Sequence, residues 1–111
     1  MPIFITQGRY TREAIKGMIA RPEDRADAVS RLFAKGGARM LNYYVTFGEY
    51  DFMVIGEAPS ETQMAAILMA AGSSGGVSDL RTTLAISSIE AKGAMAAAGD
   101  LAPGFRSAGG A

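Results

Sequence analysis

Cysteine, histidine and tryptophan are all missing from the 111-residue chain. Without Cys there are no disulfides, thiolate nucleophiles or zinc-thiolate sites, although this alone does not fix a compartment. Without His there are no Ser-His triads, imidazole general bases, facial-triad iron centres or proximal-His haem. Without Trp, oxygenase chemistry that depends on that residue is excluded. Excess charge is absent too: eleven basic residues balance eleven acidic ones at a pI near 6.2. General attraction to nucleic acid or to an anionic membrane surface is therefore not expected. No basic leader precedes an apolar segment, and no apolar run approaches the ~18 residues of a membrane span. The expected location is the cytoplasm, with neither a cofactor nor a metal.

What is present suits one globular domain, with 49% hydrophobic and 20% charged residues. The most informative run is Tyr43-Tyr44-Val45-Thr46-Phe47-Gly48-Glu49-Tyr50-Asp51-Phe52-Met53-Val54-Ile55. Two β-branched and aromatic segments flank a Gly-containing turn, which predicts a hairpin with arms over residues 39–47 and 50–57. Pro2 to Arg9 reads as a first strand. Thr11 then caps a helix with Ala14, Ile15, Met18 and Ile19 on one face, and Arg21-Pro22 breaks it. A second helical stretch, with Pro22 at its first position, carries Ala26, Val29, Leu32 and Phe33 and stops at Gly36-Gly37. Ser60 with Gln63 matches a capping box before a helix that ends at Gly72. Leu80, Thr82, Leu84 and Ile86 alternate with Arg81, Thr83, Ala85 and Ser87, as in a half-buried strand. Ser87 with Glu90 matches a second capping box, opening an Ala-rich helix that fades by Gly99.

The order strand, helix, strand, strand, helix, strand predicts an α+β, ferredoxin-like βαββαβ domain over residues 1–98, with an extra short C-terminal helix. A flexible Gly/Ala-rich tail is expected over residues 99–111. In this topology the first and third strands are central, and they carry the most continuous apolar runs, Ile3-Phe4-Ile5 and Phe52-Met53-Val54-Ile55. Helices on one face leave the other uncovered, at roughly 1.5–3 kcal/mol for each large apolar side chain in water. The expected cover is a second copy, giving a homodimer by sheet-to-sheet packing that symmetry can multiply into a ring.

Three segments together resemble a known family: Gly8-Arg9-Tyr10-Thr11 near the start, Gly48-Glu49-Tyr50-Asp51 in the hairpin, and Leu80-Arg81-Thr82-Thr83-Leu84 in the last strand. They are similar to the small bacterial GYD-domain proteins, named for a Gly-x-Tyr-Asp pattern, and the resemblance spans roughly residues 2–96. It implies a ferredoxin-like chain of the dimeric α/β-barrel kind and no established biochemical activity. The Gly/Ala-rich end after Gly93 departs from the family's short terminal helix.

Gly48-Glu49-Tyr50-Asp51 has a structural reading, in which Gly48 supplies a positive torsion and Asp51 bonds nearby backbone amides. In the functional reading, Asp51 borders a cavity as a proton-transfer group while Tyr50 orients a polar substrate group. Arg9 and Arg81 fall on neighbouring strands, where they can converge on a carboxylate or pair with acids such as Glu13, Glu49 or Asp79. Tyr43 and Tyr44 face opposite ways, so at most one lines a given pocket. The candidate ligand-binding set is Arg9, Tyr43, Tyr50, Asp51 and Arg81. Gly72-Ser73-Ser74-Gly75-Gly76 resembles a phosphate loop in composition only, because no Lys-Ser/Thr follows. Three classes of function remain open. One is a module binding a small organic ligand in a cleft or barrel cavity. The second is a cofactor-free isomerase or lyase using Asp51 with Tyr50 or Tyr43. The third is a structural or assembly partner. The binding module requires the least, a cavity with a few polar groups.

Overall fold

The computed structural model describes residues 1–110. The elements are β1 (Ile3–Tyr10), α1 (Arg12–Ala20), α2 (Arg25–Lys35), β2 (Arg39–Val45), β3 (Phe52–Glu57), α3 (Glu61–Ser73), β4 (Val77–Ala85) and α4 (Ser88–Leu101). A short 3-10 turn, Ala102–Gly104, follows α4. The strands form one antiparallel sheet in the order β2-β3-β1-β4, so β1 and β3 are central, as their apolar runs predict. This is the expected α+β, ferredoxin-like architecture.

Alternation along the central strands decides what faces the helices. Ile5 is opposite Ile55 and Thr6 is opposite Val54, so the even-numbered residues of both strands point one way. Phe4, Thr6, Phe52 and Val54 are buried on that face, and the three apolar ones cluster with Phe33 from α2 and Met64 and Ile67 from α3. Phe33 sits directly over Gly56. A Cβ at Gly56 would come within 2.4 Å of the Phe33 ring, so the glycine is what lets α2 approach the sheet. On the opposite face Ile3, Ile5, Met53 and Ile55 are half-buried, and Tyr44 stands more than half exposed.

Several local expectations need correction. The hairpin turn is not tight: the strands stop at Val45 and Phe52, leaving a six-residue loop, Thr46 to Asp51. It is closed by Thr46 N–H donating to the Asp51 carbonyl at 2.8 Å and the Thr46 hydroxyl donating to the Tyr50 carbonyl at 2.7 Å. Pro22 is not the first residue of α2. Asp24 is the N-cap, accepting from Ala26 N–H at 2.9 Å, and residues 21–24 form a linker between α1 and α2. Ser60 accepts from Gln63 N–H as a plain cap, whereas Ser87 and Glu90 form the full reciprocal box. The apolar face of α1 is split, with Ala14 and Met18 turned inward but Ile15 and Ile19 exposed, because α1 rides above the sheet and buries no residue fully.

The last helix runs two residues past Gly99, to Leu101. It has no buried residue and makes its substantial contacts with the following 3-10 turn alone. That projection stretches the chain to 61 × 31 × 21 Å with a radius of gyration of 18.1 Å, against about 13 Å for a compact chain of this length. Among the described residues no helix is long and apolar enough to cross a membrane.

Two glycines give opposite expectations. Gly56→Ala forces Phe33 off the sheet and should destabilise the fold by about 1–3 kcal/mol. Gly17→Ala, on α1 with open space at its Cβ position, should stabilise by about 0.4–1 kcal/mol. Equilibrium urea unfolding of both variants checks the pair.

Candidate functional site

The helices do not fill the face they cover. Between α1, α2 and α3 and the sheet lies a cavity of about 580 Å³, within the range of small-ligand pockets. Its walls are largely apolar, with Met18 from α1, Val29 and Leu32 from α2, Leu68 and Ala71 from α3, and Leu80 from β4. Its floor is an aromatic row. Phe52 on β3 stacks on Tyr43 of β2 at 5.9 Å and 6°, and leans on Tyr10 of β1 at 5.1 Å and 32°. The two phenols meet with their hydroxyls 2.5 Å apart. Beside them Thr6 and Thr82 share a 2.8 Å hydroxyl bond.

This placement follows from strand register. Tyr43 is the inward-facing residue opposite Val54, and Tyr10 is the last inward residue of β1. One proton joins the two phenol oxygens, and neither hydroxyl has another partner among the described residues. The pair therefore keeps one proton to donate and lone pairs to accept. Burial, then the bond to Tyr10, pushes the Tyr43 phenol well above the ordinary tyrosine value, so it remains a protonated donor at neutral pH. Arg21, Glu23 and Arg25, from the linker and the start of α2, complete the lining on its charged side.

The residues singled out in the sequence are divided between the two sheet faces. Tyr43 lines the cavity beneath the helices. Tyr50 and Arg81 border a shallower cleft of about 380 Å³ on the opposite face, with Gln7 and the hairpin loop. Arg9 is nearby, its guanidinium 5.1 Å from the Tyr50 ring centre, donating to the Glu49 carbonyl at 2.9 Å and paired with Asp79 at 3.2 Å. A register shift between Gln7 and Arg9 and a left-handed backbone at Asp79, φ 52°, bring those two groups together. Arg81 has no ion pair among the described residues. Asp51 borders neither cavity. Its carboxylate accepts from Tyr10 N–H at 3.0 Å while its own N–H donates to the Gly8 carbonyl at 2.8 Å, tying the loop to β1. Gly48 has a positive torsion, φ 156°. Tyr44 points away from Tyr43 and stays exposed.

Tyr10 was the residue the sequence reading missed. It lies within Gly8-Arg9-Tyr10-Thr11, but its partner Tyr43 is 33 positions away and is found only through strand order. No cluster of three or more acids that could hold a metal ion occurs among the described residues.

The raised Tyr43 phenol ties stability to alkaline pH. Folding holds its proton more tightly than the unfolded chain, whose tyrosines titrate near 10.0. The resulting contribution is intact below that value and is lost as pH rises beyond it. Between about pH 9 and 11 the urea midpoint of the native chain should fall more steeply than that of Tyr43→Phe.

Comparison with known proteins agrees with this fold. Protein TTHA0845 from Thermus thermophilus superposes with a TM-score of 0.52 at 17% identity, over 79% of this chain and 96% of that one. The protein FFRP-DM1 gives 0.49 at 19% identity over 78% and 100%, and the hypothetical protein PHS023 from Pyrococcus horikoshii gives 0.48 at 18% over 78% and 92%. At 17% identity the likeness to TTHA0845 concerns fold alone. No curated protein matches the chain. The GYD domain model, by contrast, matches residues 4–95, a span that takes in the Tyr10–Tyr43 floor, the Gly48-Glu49-Tyr50-Asp51 loop and, but for Ile3, all four strands, and the chain therefore belongs to the GYD domain family.

Proposed function

We propose that the protein binds a compact, mostly apolar organic molecule in the cavity beneath its helices, with a polar oxygen of the ligand hydrogen-bonded to Tyr10 and Tyr43. The observation that carries this reading is the combination of an unfilled apolar volume with one paired donor on its floor. A cavity of that size among Leu, Val and Ala side chains forfeits packing that a folded core normally makes. A bound molecule restores it, and the phenols set its orientation. An acid–base role for Asp51 draws less support, because its carboxylate already accepts from Tyr10 N–H.

The binding unit in this proposal is a homodimer in which two sheets press together through Ile3, Ile5, Met53 and Ile55. The helices that cover the sheet lie on its other face, so these half-buried side chains gain no cover from them. Completing the burial of each contributes on the order of 1 kcal/mol.

A neutral solvatochromic probe, N-phenyl-1-naphthylamine, should bind at one site per chain with enhanced fluorescence. Ala71→Phe, which puts a ring into the cavity, should weaken the signal in a chain that still unfolds cooperatively. Undiminished binding by that variant would remove the cavity reading. Asp51→Ala should lose about 1.5–3 kcal/mol of stability by urea unfolding, the worth of a charge-assisted bond, with probe affinity retained. The opposite pattern would favour the acid–base role.

Sedimentation velocity tests the assembly. The native chain should run as a dimer at micromolar concentration and Ile55→Arg as a folded monomer. A native monomer would overturn the sheet-to-sheet pairing.

A further inference from the structure

We infer that the ligand of this cavity is an amphipathic monocarboxylate, its apolar body among the α3 and β4 side chains and its single negative charge met by Arg21 and Arg25. The inference rests on the cavity reading and deepens it, because every charged side chain of the lining comes from one short stretch, residues 21–25.

The charged groups in the lining are two arginines and one glutamate, so the cavity carries one formal positive charge. Glu23 is committed to Arg25 at 3.3 Å. Arg21 has no ion pair among the described residues. It is the C-cap of α1 and is held by its backbone N–H donating to Gly17 at 2.9 Å, so its position is set by the helix end. The neighbouring carboxylate, Asp24, is occupied as the N-cap of α2. The start of α2 adds a positive helix end at the same place. Arg21, Glu23 and Arg25 fall within five positions at the handover from α1 to α2, so the charge of the lining gathers there. The side chains that α3 and β4 contribute, among them Ile67, Leu68 and Leu80, are apolar, and the Ser74 hydroxyl just past α3 is already taken by the Ala71 carbonyl at 2.6 Å and Gly76 N–H at 3.2 Å.

Such a lining discriminates by charge. A neutral apolar ligand leaves Arg21 solvated and indifferent, and a dianion brings one charge more than the lining offsets. A carboxylate accepts two parallel N–H bonds from a guanidinium and can take the free phenol proton as a third. The apolar body then excludes water from that pairing, which strengthens it.

The test compares 6-phenylhexanoate with 6-phenylhexanamide, a matched neutral body, by displacement of the naphthylamine probe. The carboxylate should bind about tenfold more tightly than the amide, the worth of one charge-assisted bond. Arg21→Gln should bring that ratio below about two, while Glu23→Gln, which releases Arg25, should raise it. Opposite movement of the ratio in the two variants is a result that a purely structural role for either residue would not produce. Equal binding of acid and amide by the native chain would overturn the inference while leaving the cavity reading intact. Failure of both compounds, and of the probe itself, would overturn both. Both substituted positions are exposed, and far-ultraviolet circular dichroism verifies that the variants fold.

Discussion

The seat of Phe33 on Gly56 is the contact from which the rest of the structure follows. Only a strand residue without a side chain lets an aromatic ring from α2 lie this close to the sheet, and the ring is then almost wholly buried. With α2 pinned at that end and α3 anchored through Met64 and Ile67, the other end of the helical layer has no comparable anchor. The first helix buries nothing fully. The result is a layer held down at one end and lifted at the other. The cavity is the space under the lifted end, floored by Tyr10, Phe52 and Tyr43.

The break at Arg21-Pro22 belongs to the same arrangement. A continuous helix would carry Met18 and Val29 along one axis and let both descend into the core. Proline disfavours helical geometry in the residue before it, and the linker it creates places Arg21, Glu23 and Arg25 at the cavity rather than on a solvated helix face. The charge of the site thus originates in a local backbone constraint. On the other face of the sheet, Arg9 is held by Glu49, Tyr50 and Asp79 together. Such exposed pairs contribute little to stability, and here they chiefly orient the hairpin loop, at whose edge Phe47 is left 99% exposed.

Local chemistry was readable wherever it depends on neighbours in the chain. Thr11 and Ser87 cap the helices they precede, Gly36-Gly37 ends α2 with Gly37 at φ 78°, and the alternation of β4 sets Leu80 and Thr82 inward. The hairpin turn is longer than Gly48 predicts, because its length depends on Arg9, Asp51 and Thr46 bonding across strands. The single stripe expected of α1 failed for a similar reason. Spacing says which residues share a helix face but not whether that face meets the sheet, and Ile15 and Ile19 are turned to solvent.

What the sequence by itself determined was the order of the elements, the pairing of β1 with β3 and β4, and the absence of thiol and imidazole chemistry. These depend on composition, on a period of two or 3.6 residues, and on caps a few positions long. Tertiary structure alone decided that Tyr10 joins Tyr43 on the cavity floor while Tyr50 and Arg81 fall on the opposite face. The physical reason is register: a one-residue offset in strand pairing exchanges the two faces of a sheet. Side chains 33 positions apart can meet only after three strands have taken their places.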